Sequence, residues 1–144
     1  MFRRIVVGVD GSDAALHAVE AAAALARMSE AELHIVTVPM VETVELMGAG
    51  IVGYVPMTPL PEDEGQMEAG RQVVEKAARH ADYPARTHVV RGDASTQIAA
   101  LAEEVGADLI VTGRRGLGGL ASALIGSTSQ SIQHKAHCAC LTVA

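Results

Sequence analysis

The fold is decided by residues 109–128, which read LIVTGRRGLGGLASALIGST. The apolar run that opens this stretch has the length and branching of a buried strand, and it ends at Thr112 and Gly113. A glycine-rich loop follows, and Ser127 and Thr128 then open a short helical pattern. Glycine lets the backbone approach an anion closely, and free N–H groups at a helix N-terminus attract negative charge. The stretch therefore predicts a strand, a loop and a helix start that together hold phosphate groups.

Short apolar runs alternate with helical patterns along the rest of the chain. They predict strands at residues 3–9, 33–38, 85–90, 109–112 and 140–144, and helices at about 13–28, 62–81, 93–106 and 126–134. This alternation implies a parallel sheet with helices on both faces, and right-handed crossovers favour the strand order 3-2-1-4-5. The predicted fold is a single α/β domain over residues 1–144, with an open twisted five-stranded sheet of the Rossmann-like type.

Two helix starts and one helix end have clear local signals. Ser12 and Asp93 are good N-caps, and Gly106 is a natural helix stop. The third predicted strand is short and carries Arg86 and His88, which is typical of an edge strand. These signals agree with the alternating pattern and place the third strand at an edge of the sheet.

The expected strand order has a consequence for function because it puts strands 1 and 4 side by side. Ligands of open α/β sheets bind outside the carboxyl ends of the strands at such a switch point. The turn at Asp10 follows strand 1, and the glycine loop after Gly113 follows strand 4. The two best candidate sites are therefore expected in one crevice.

Composition excludes several classes of function. Of the 144 residues, 49% are hydrophobic, and one Phe, two Tyr and no Trp mean that the core consists mainly of small aliphatic side chains. A net charge of −6 leaves no evident basic face, which argues against nucleic-acid binding. No apolar run reaches the roughly 18–20 residues of a membrane span, and the first apolar run is too short for a signal peptide. We expect a cytoplasmic protein.

The metal-binding residue types form no cluster in the sequence. The six histidines are scattered, so no dedicated metal site is predicted. Cys138 and Cys140 are expected to behave as small hydrophobic residues in a reducing compartment. We expect their side chains on opposite faces of the last strand, poorly placed to bond each other.

A long segment at residues 39–61 interrupts the regular pattern. It contains several glycines and prolines, but also apolar residues such as Met40 and Tyr54, so it is not a simple solvated linker. Loops of this length are uncommon within compact domains. Two interpretations stay open, a variable excursion that covers part of the core and a lid over a ligand or a partner surface.

The glycine spacing resembles that of a known family. Gly113 is followed by two residues and Gly116, and then by nine residues before Gly126 and Ser127. This G-x2-G-x9-G-[S/T] pattern resembles the ATP-binding branch of the universal stress protein family, and the resemblance covers essentially the whole chain. It implies ATP as the ligand, with Mg²⁺ carried by the nucleotide. It also implies a nucleotide-dependent regulatory module of the stress response, at most a slow ATPase.

The resemblance implies roles for residues that follow the first, second and fourth strands. Val9 and Asp10 would lie beside the adenosine. Asp10 could also reach Mg²⁺ through water, or it could only tighten its turn. Val38 would offer backbone groups to the adenine edge or simply belong to the core. Arg114 and Arg115 would pair with phosphates or remain solvated.

The phosphate chain is expected along the glycine loop and the start of the last helix. The residues that the resemblance assigns to ribose and phosphates are Thr112, Gly113, Gly116, Gly126, Ser127 and Thr128. No residue is assigned a catalytic role.

The last predicted strand resembles the edge through which members of this family form homodimers. Its residues are Leu141, Thr142 and Val143. Family members often have proline after the last helix, whereas residues 136–140 contain none. This departure concerns the geometry with which the chain enters the last strand, and therefore also the expected dimer contact.

The sequence lacks the motifs of several other functions. The chain lacks the Gly-Lys-Ser/Thr of phosphate-loop NTPases, the G-x-S-x-G nucleophile turn and the Ser-Gly-Gly-x-Asp-Ser turn of adenylating enzymes. A phosphoacceptor receiver domain would need an Asp at the end of strand 3 and a Lys after strand 5, and neither is present. Three alternatives stay open, namely slow hydrolysis of ATP, binding of another adenine nucleotide, and a dimeric scaffold that binds no nucleotide.

Overall fold

Five strands form one parallel sheet, in which the third, second, first, fourth and fifth strands of the chain lie side by side in that order. The computed structural model describes residues 1–39, 62–114 and 127–144. The strands are β1 (Arg4–Gly8), β2 (Glu32–Thr37), β3 (Ala85–Val89), β4 (Leu109–Gly113) and β5 (Ala139–Val143). The helices are α1 (Asp13–Ser29), α2 (Glu62–Ala81), α3 (Ala94–Val105) and α4 (Ser127–Lys135). The predicted fold class and strand order are confirmed.

The core has an apolar layer on each face of the sheet because alternate strand residues point to opposite faces. Ile5 and Val7 of β1 belong to the layer under α1 and α2, whereas Val6 between them belongs to the layer under α3 and α4. Small helix residues such as Ala22 and Ala102 complete the two layers. Both layers thus consist mainly of small aliphatic side chains, as the scarcity of aromatic residues predicts.

The local helix signals are confirmed by their hydrogen bonds. Ser12 Oγ accepts the N–H of Ala15 at 3.2 Å at the start of α1. Asp93 Oδ2 accepts the N–H of Thr96 at 3.0 Å at the start of α3. Gly106 ends α3 in the left-handed conformation, with φ of 67°. The observed ends of the elements differ from the predicted ones by no more than one residue.

The polar strand β3 lies at one edge of the sheet, as predicted, and β5 lies at the other. Most of the segment at 39–61 lies outside the described residues. No helix within the described ranges is long and apolar enough to cross a membrane.

The expectation that Cys138 and Cys140 face opposite sides of the sheet is wrong. Both half-buried thiols pack against the apolar layer under α3 and α4, because residues two apart along an extended chain share a face. Burial raises the pKa of each thiol. A raised pKa disfavours the reactive thiolate, which agrees with the expected packing role.

Candidate functional site at the carboxyl edge of the sheet

The carboxyl ends of β1, β2 and β4 lie side by side in the middle of the sheet. Val7 of β1 pairs with Ile35 on one side and with Val111 on the other. The chain leaves β1 towards Asp10, and it leaves β4 at Gly113. The strand order therefore brings these two exits to the same edge, as the switch-point argument predicts.

The exit of β1 is a short turn closed by its own side chains. Asp10 Oδ1 accepts the backbone N–H of Ser12 at 2.9 Å and the Ser12 hydroxyl at 2.5 Å. Ser12 Oγ in turn caps α1. Gly11 has a φ of 87°, and a Cβ there would lie 3.4 Å from Val73 Cγ2 of α2. The tight turn thus requires glycine, and half of the Asp10 carboxylate is engaged within it.

The exit of β4 is anchored to α4 by two buried hydroxyl groups. Thr112 Oγ1 lies 3.2 Å from Ser129 Oγ, and Ser129 Oγ donates to the Gly113 carbonyl at 3.3 Å. Ser129 has one hydroxyl proton, so the Thr112 hydroxyl is the donor between the two side chains. Both residues are buried, at 3% and 6% exposure. The Thr112 side chain therefore fixes the start of α4 relative to β4.

Ser129 is a residue that sequence reasoning missed. Its hydroxyl joins β4 to the first turn of α4, where the phosphate chain is expected. One signal was present in the sequence, because Ser129 is the third consecutive hydroxyl residue at the start of the predicted last helix. The sequence does not reveal which of the three hydroxyl residues points inwards.

The exit of β4 is also tied to the last strand. The backbone N–H of Arg114 donates to the carbonyl of Val143 at 2.7 Å, which continues the pairing of Gly113 with Val143. The Arg114 residue itself is exposed. Its amide is therefore used by the sheet, and its guanidinium faces solvent at this edge.

Val9 and Val38 contribute their side chains to the core. Val9 is 2% exposed within the layer under α1 and α2, and its backbone N–H donates to the Val36 carbonyl at 2.9 Å. Val38 is half-buried against the layer under α3 and α4. A ligand at these positions would therefore contact the backbone or the small exposed part of the side chain.

Helix α2 approaches the end of β2 closely at Gly70. A Cβ on Gly70 would lie 2.7 Å from Val89 Cγ1 and 3.0 Å from Pro39 Cγ. Real Cβ atoms essentially never lie this close to another heavy atom, so any side chain at position 70 would force Val89 to move. The close contact fixes the chain as it leaves β2 after Val38, beside the candidate site. Sequence analysis did not single out this glycine.

The remaining predicted site residues lie between the end of β4 and the first turn of α4. Arg115, Gly116 and Gly126 lie outside the described residues. Ser127 begins α4, and Thr128 is half-buried. Across the ranges that the structure describes, no group of three or more His, Cys, Asp or Glu side chains is arranged to hold a metal ion.

The sheet order and the helices around it define a Rossmann-like α/β protein, and comparisons with known proteins specify its family. The sequence model of the universal stress protein family matches residues 1–144. Universal stress protein YxiE of Bacillus subtilis (strain 168) is 32% identical over 99% of both chains. Universal stress protein MJ0531 of Methanocaldococcus jannaschii is 33% identical over 99% of this chain and 82% of the relative.

A solved structure agrees with the sequence comparisons. A universal stress protein in complex with cAMP is 28% identical, with a TM-score of 0.69 over 99% of this chain and 97% of that one. The chain therefore belongs to the universal stress protein family.

Proposed function

We propose that this chain is an ATP-binding universal stress protein that acts as a nucleotide-dependent regulatory module. The observation that carries the proposal is the anchoring of α4 to β4 through Thr112 and Ser129. It holds the N-terminal turn of α4 at the edge where β1 and β4 end. Free N–H groups and the helix dipole at such a terminus favour phosphate groups. The relative that binds cAMP supports an adenine nucleotide.

In this proposal the nucleotide lies across the exits of β2, β1 and β4. The backbone at Val38 meets the adenine edge, and Val9 and Asp10 lie beside the adenosine. Because the Thr112 hydroxyl proton is used within the protein, Thr112 and Gly113 act on the ribose and first phosphate through their backbone. The residues proposed for the phosphate chain are Arg115, Gly116, Gly126, Ser127 and Thr128.

Asp10 is the carboxylate that we propose for a Mg²⁺ that arrives with the nucleotide. Asp10 is half-buried at the edge, and its Oδ1 is engaged by Ser12. Its Oδ2 retains lone pairs for a water bound to the ion. When bound, the ion neutralises phosphate charge. Asp10 orients that water, and we propose no dedicated metal site in the chain.

The outer edge of β5 is the proposed homodimer contact. Leu141 is 37% exposed on this edge strand, and an open strand edge with an apolar residue favours pairing with another strand. The proposed contact residues are Leu141, Thr142 and Val143. Sedimentation velocity at micromolar concentration tests this part, and a monomer at all concentrations would contradict it.

The proposed ligand is tested on freshly purified protein. Mass spectrometry of the released ligand should identify an adenine nucleotide, and calorimetry should detect binding of Mg-ATP. At a free concentration 100 times the Kd, ATP should stabilise the fold by about 2.7 kcal/mol, which a thermal shift detects. cAMP serves as the comparison ligand. The proposal fails if neither nucleotide is retained, gives heat or raises Tm.

A scaffold that binds no nucleotide is the second candidate function. It is favoured by the internal hydrogen bonds of Asp10 and Thr112, which stabilise the edge without a ligand. A dimer with no response to Mg-ATP would support it. ATP turnover, compared between the wild type and a variant in the glycine loop, decides whether slow hydrolysis accompanies binding.

A further inference from the structure

Two histidines meet between strands β2 and β3, far from the glycine loop in sequence. His34 Nδ1 lies 3.0 Å from His88 Nε2. The two rings are stacked, with centroids 5.2 Å apart and an interplanar angle of 19°. The His34 side chain is only 3% exposed, whereas His88 is half-buried. The contact joins the edge strand to its neighbour through side chains in addition to the backbone ladder.

The hydrogen bond between the rings depends on their protonation. When both rings are neutral, one of the two facing nitrogens carries an N–H and donates a hydrogen bond, and the other nitrogen accepts that bond. His34 Nε2 is buried and has no hydrogen-bond partner within the described residues, and it lies 3.4 Å from Glu32 Oε1. This carboxylate favours the tautomer with the proton on His34 Nε2. His34 Nδ1 is then the acceptor, and His88 Nε2–H is the donor.

Charged groups from four elements surround the pair. Glu32 of β2 is held by Arg4 of β1 at 3.4 Å and by Arg86 of β3 at 3.1 Å. Glu103 and Glu104 of α3 line the same open cleft of about 540 Å³. Glu32 favours a charged His34, and Glu104 favours a charged His88, whereas Arg86 opposes charge on either ring.

The balance of these effects favours the neutral pair. Burial is the largest effect, and it lowers the pKa of both His34 and His88; the mutual repulsion of the rings and the charge of Arg86 lower the pKa of His34 further. The unfolded value is about 6.5. A lowered folded pKa means that the stabilisation is complete above about pH 6.5 and is lost as the pH falls through the folded pKa.

We propose that the His34–His88 pair is an acid-sensitive junction that holds the edge strand β3 on β2 at neutral pH and loosens it when His34 gains a proton on Nδ1. If His34 Nδ1 is protonated, two N–H donors face each other across 3.0 Å and the hydrogen bond is lost. Strand β3 is the more sensitive partner because it lies at the edge and β2 is its only neighbour in the described sheet. The proposal is independent of nucleotide binding.

The junction is tested by the pH dependence of unfolding between pH 7.5 and 5. Urea titrations should show that the wild type takes up protons on unfolding. As the pH falls, the equilibrium constant for unfolding should rise up to about tenfold per pH unit for each extra proton. His34→Asn with His88→Gln replaces both rings by amides that preserve a donor and an acceptor. This variant should have a flatter dependence, whereas His17→Gln, which removes an exposed histidine of α1, should retain the wild-type slope.

Hydrogen exchange and NMR on the wild type complete the test without a variant. After correction for intrinsic rates, the amides of β3 should lose protection in acid before those of β1. The imidazole resonances of His34 and His88 should titrate below pH 6.5. If both titrate at or above pH 6.5, or if the double variant keeps the full pH slope, the junction is refuted.

Discussion

The exits of β1 and β4 each connect a strand to the helix that follows it, but they differ greatly in length. Between β1 and α1 there are four residues, 9–12, whereas between β4 and α4 there are thirteen, 114–126. The short exit uses its polar groups internally, since Asp10 accepts two bonds from Ser12 and Ser12 caps α1. The exit of β3, at 90–93, is equally short and is closed by Asp93.

The difference bears on the proposed function, in which the long exit after β4 is the part that serves the ligand. A strand-to-helix connection needs only about four residues in this fold, as the exits of β1 and β3 demonstrate. The extra length after β4 is therefore not explained by chain reversal, and it is rich in glycines, at 116, 118, 119 and 126. Glycine amides in such a connection are suited to an anion. The Thr112–Ser129 contact holds both ends of this connection in place.

The largest effect is expected from a substitution in the long exit. Gly126→Val or Gly116→Val should weaken Mg-ATP binding at least a hundredfold, because a branched side chain prevents close approach of the backbone to phosphate. Gly65→Val is the matched control, since a Cβ at Gly65 in α2 meets nothing within 4 Å. Calorimetry measures the affinities, and circular dichroism confirms folding. Unchanged affinity in both loop variants would remove the long exit from the proposed site.

An intermediate effect is expected at the anchor of the long exit. Ser129→Ala leaves the buried Thr112 hydroxyl and the Gly113 carbonyl without their partner and should cost about 1–3 kcal/mol. Thr112→Val combined with Ser129→Ala removes both hydroxyl groups and should cost less than the sum of the single changes. Urea unfolding measures the free energies. Additive costs would mean that the two hydroxyl groups do not act as a pair.

The sequence predicted the fold well because the fold depends on local patterns. The bounds of α2, Glu62–Ala81, follow from helical periodicity after a proline-rich stretch, and the caps at Ser12, Asp93 and Gly106 depend on neighbouring residues alone. Alternation indicated a parallel sheet, and crossover handedness reduced the number of topologies among which the order 3-2-1-4-5 was chosen. These features require no knowledge of which side chains meet across the structure.

The side-chain contacts could not be predicted, because they join residues that are far apart in the sequence. Thr112 and Ser129 are 17 positions apart, and His34 and His88 are 54 apart. In the sequence the histidines are merely scattered, because the diagonal contact across β2 and β3 depends on strand register. The same dependence on three-dimensional packing hid the role of Gly70, whose missing side chain admits Val89 and Pro39.

The smallest effect on stability, but the sharpest test of the short exit, is expected from Asp10→Asn. Asparagine accepts the same bonds in such a turn, so the free energy of unfolding should change by less than about 0.5 kcal/mol, as measured in urea. If the Asp10 carboxylate also orients a water on Mg²⁺, the affinity for Mg-ATP should fall roughly tenfold through loss of a charge-assisted contact. Asp93→Asn is the matched control, because it alters the capping carboxylate of the β3 exit and should leave ATP affinity unchanged. Equal ATP affinities in the wild type and both variants would mean that Asp10 only closes its turn, and that ligand binding at this edge belongs to the long exit alone.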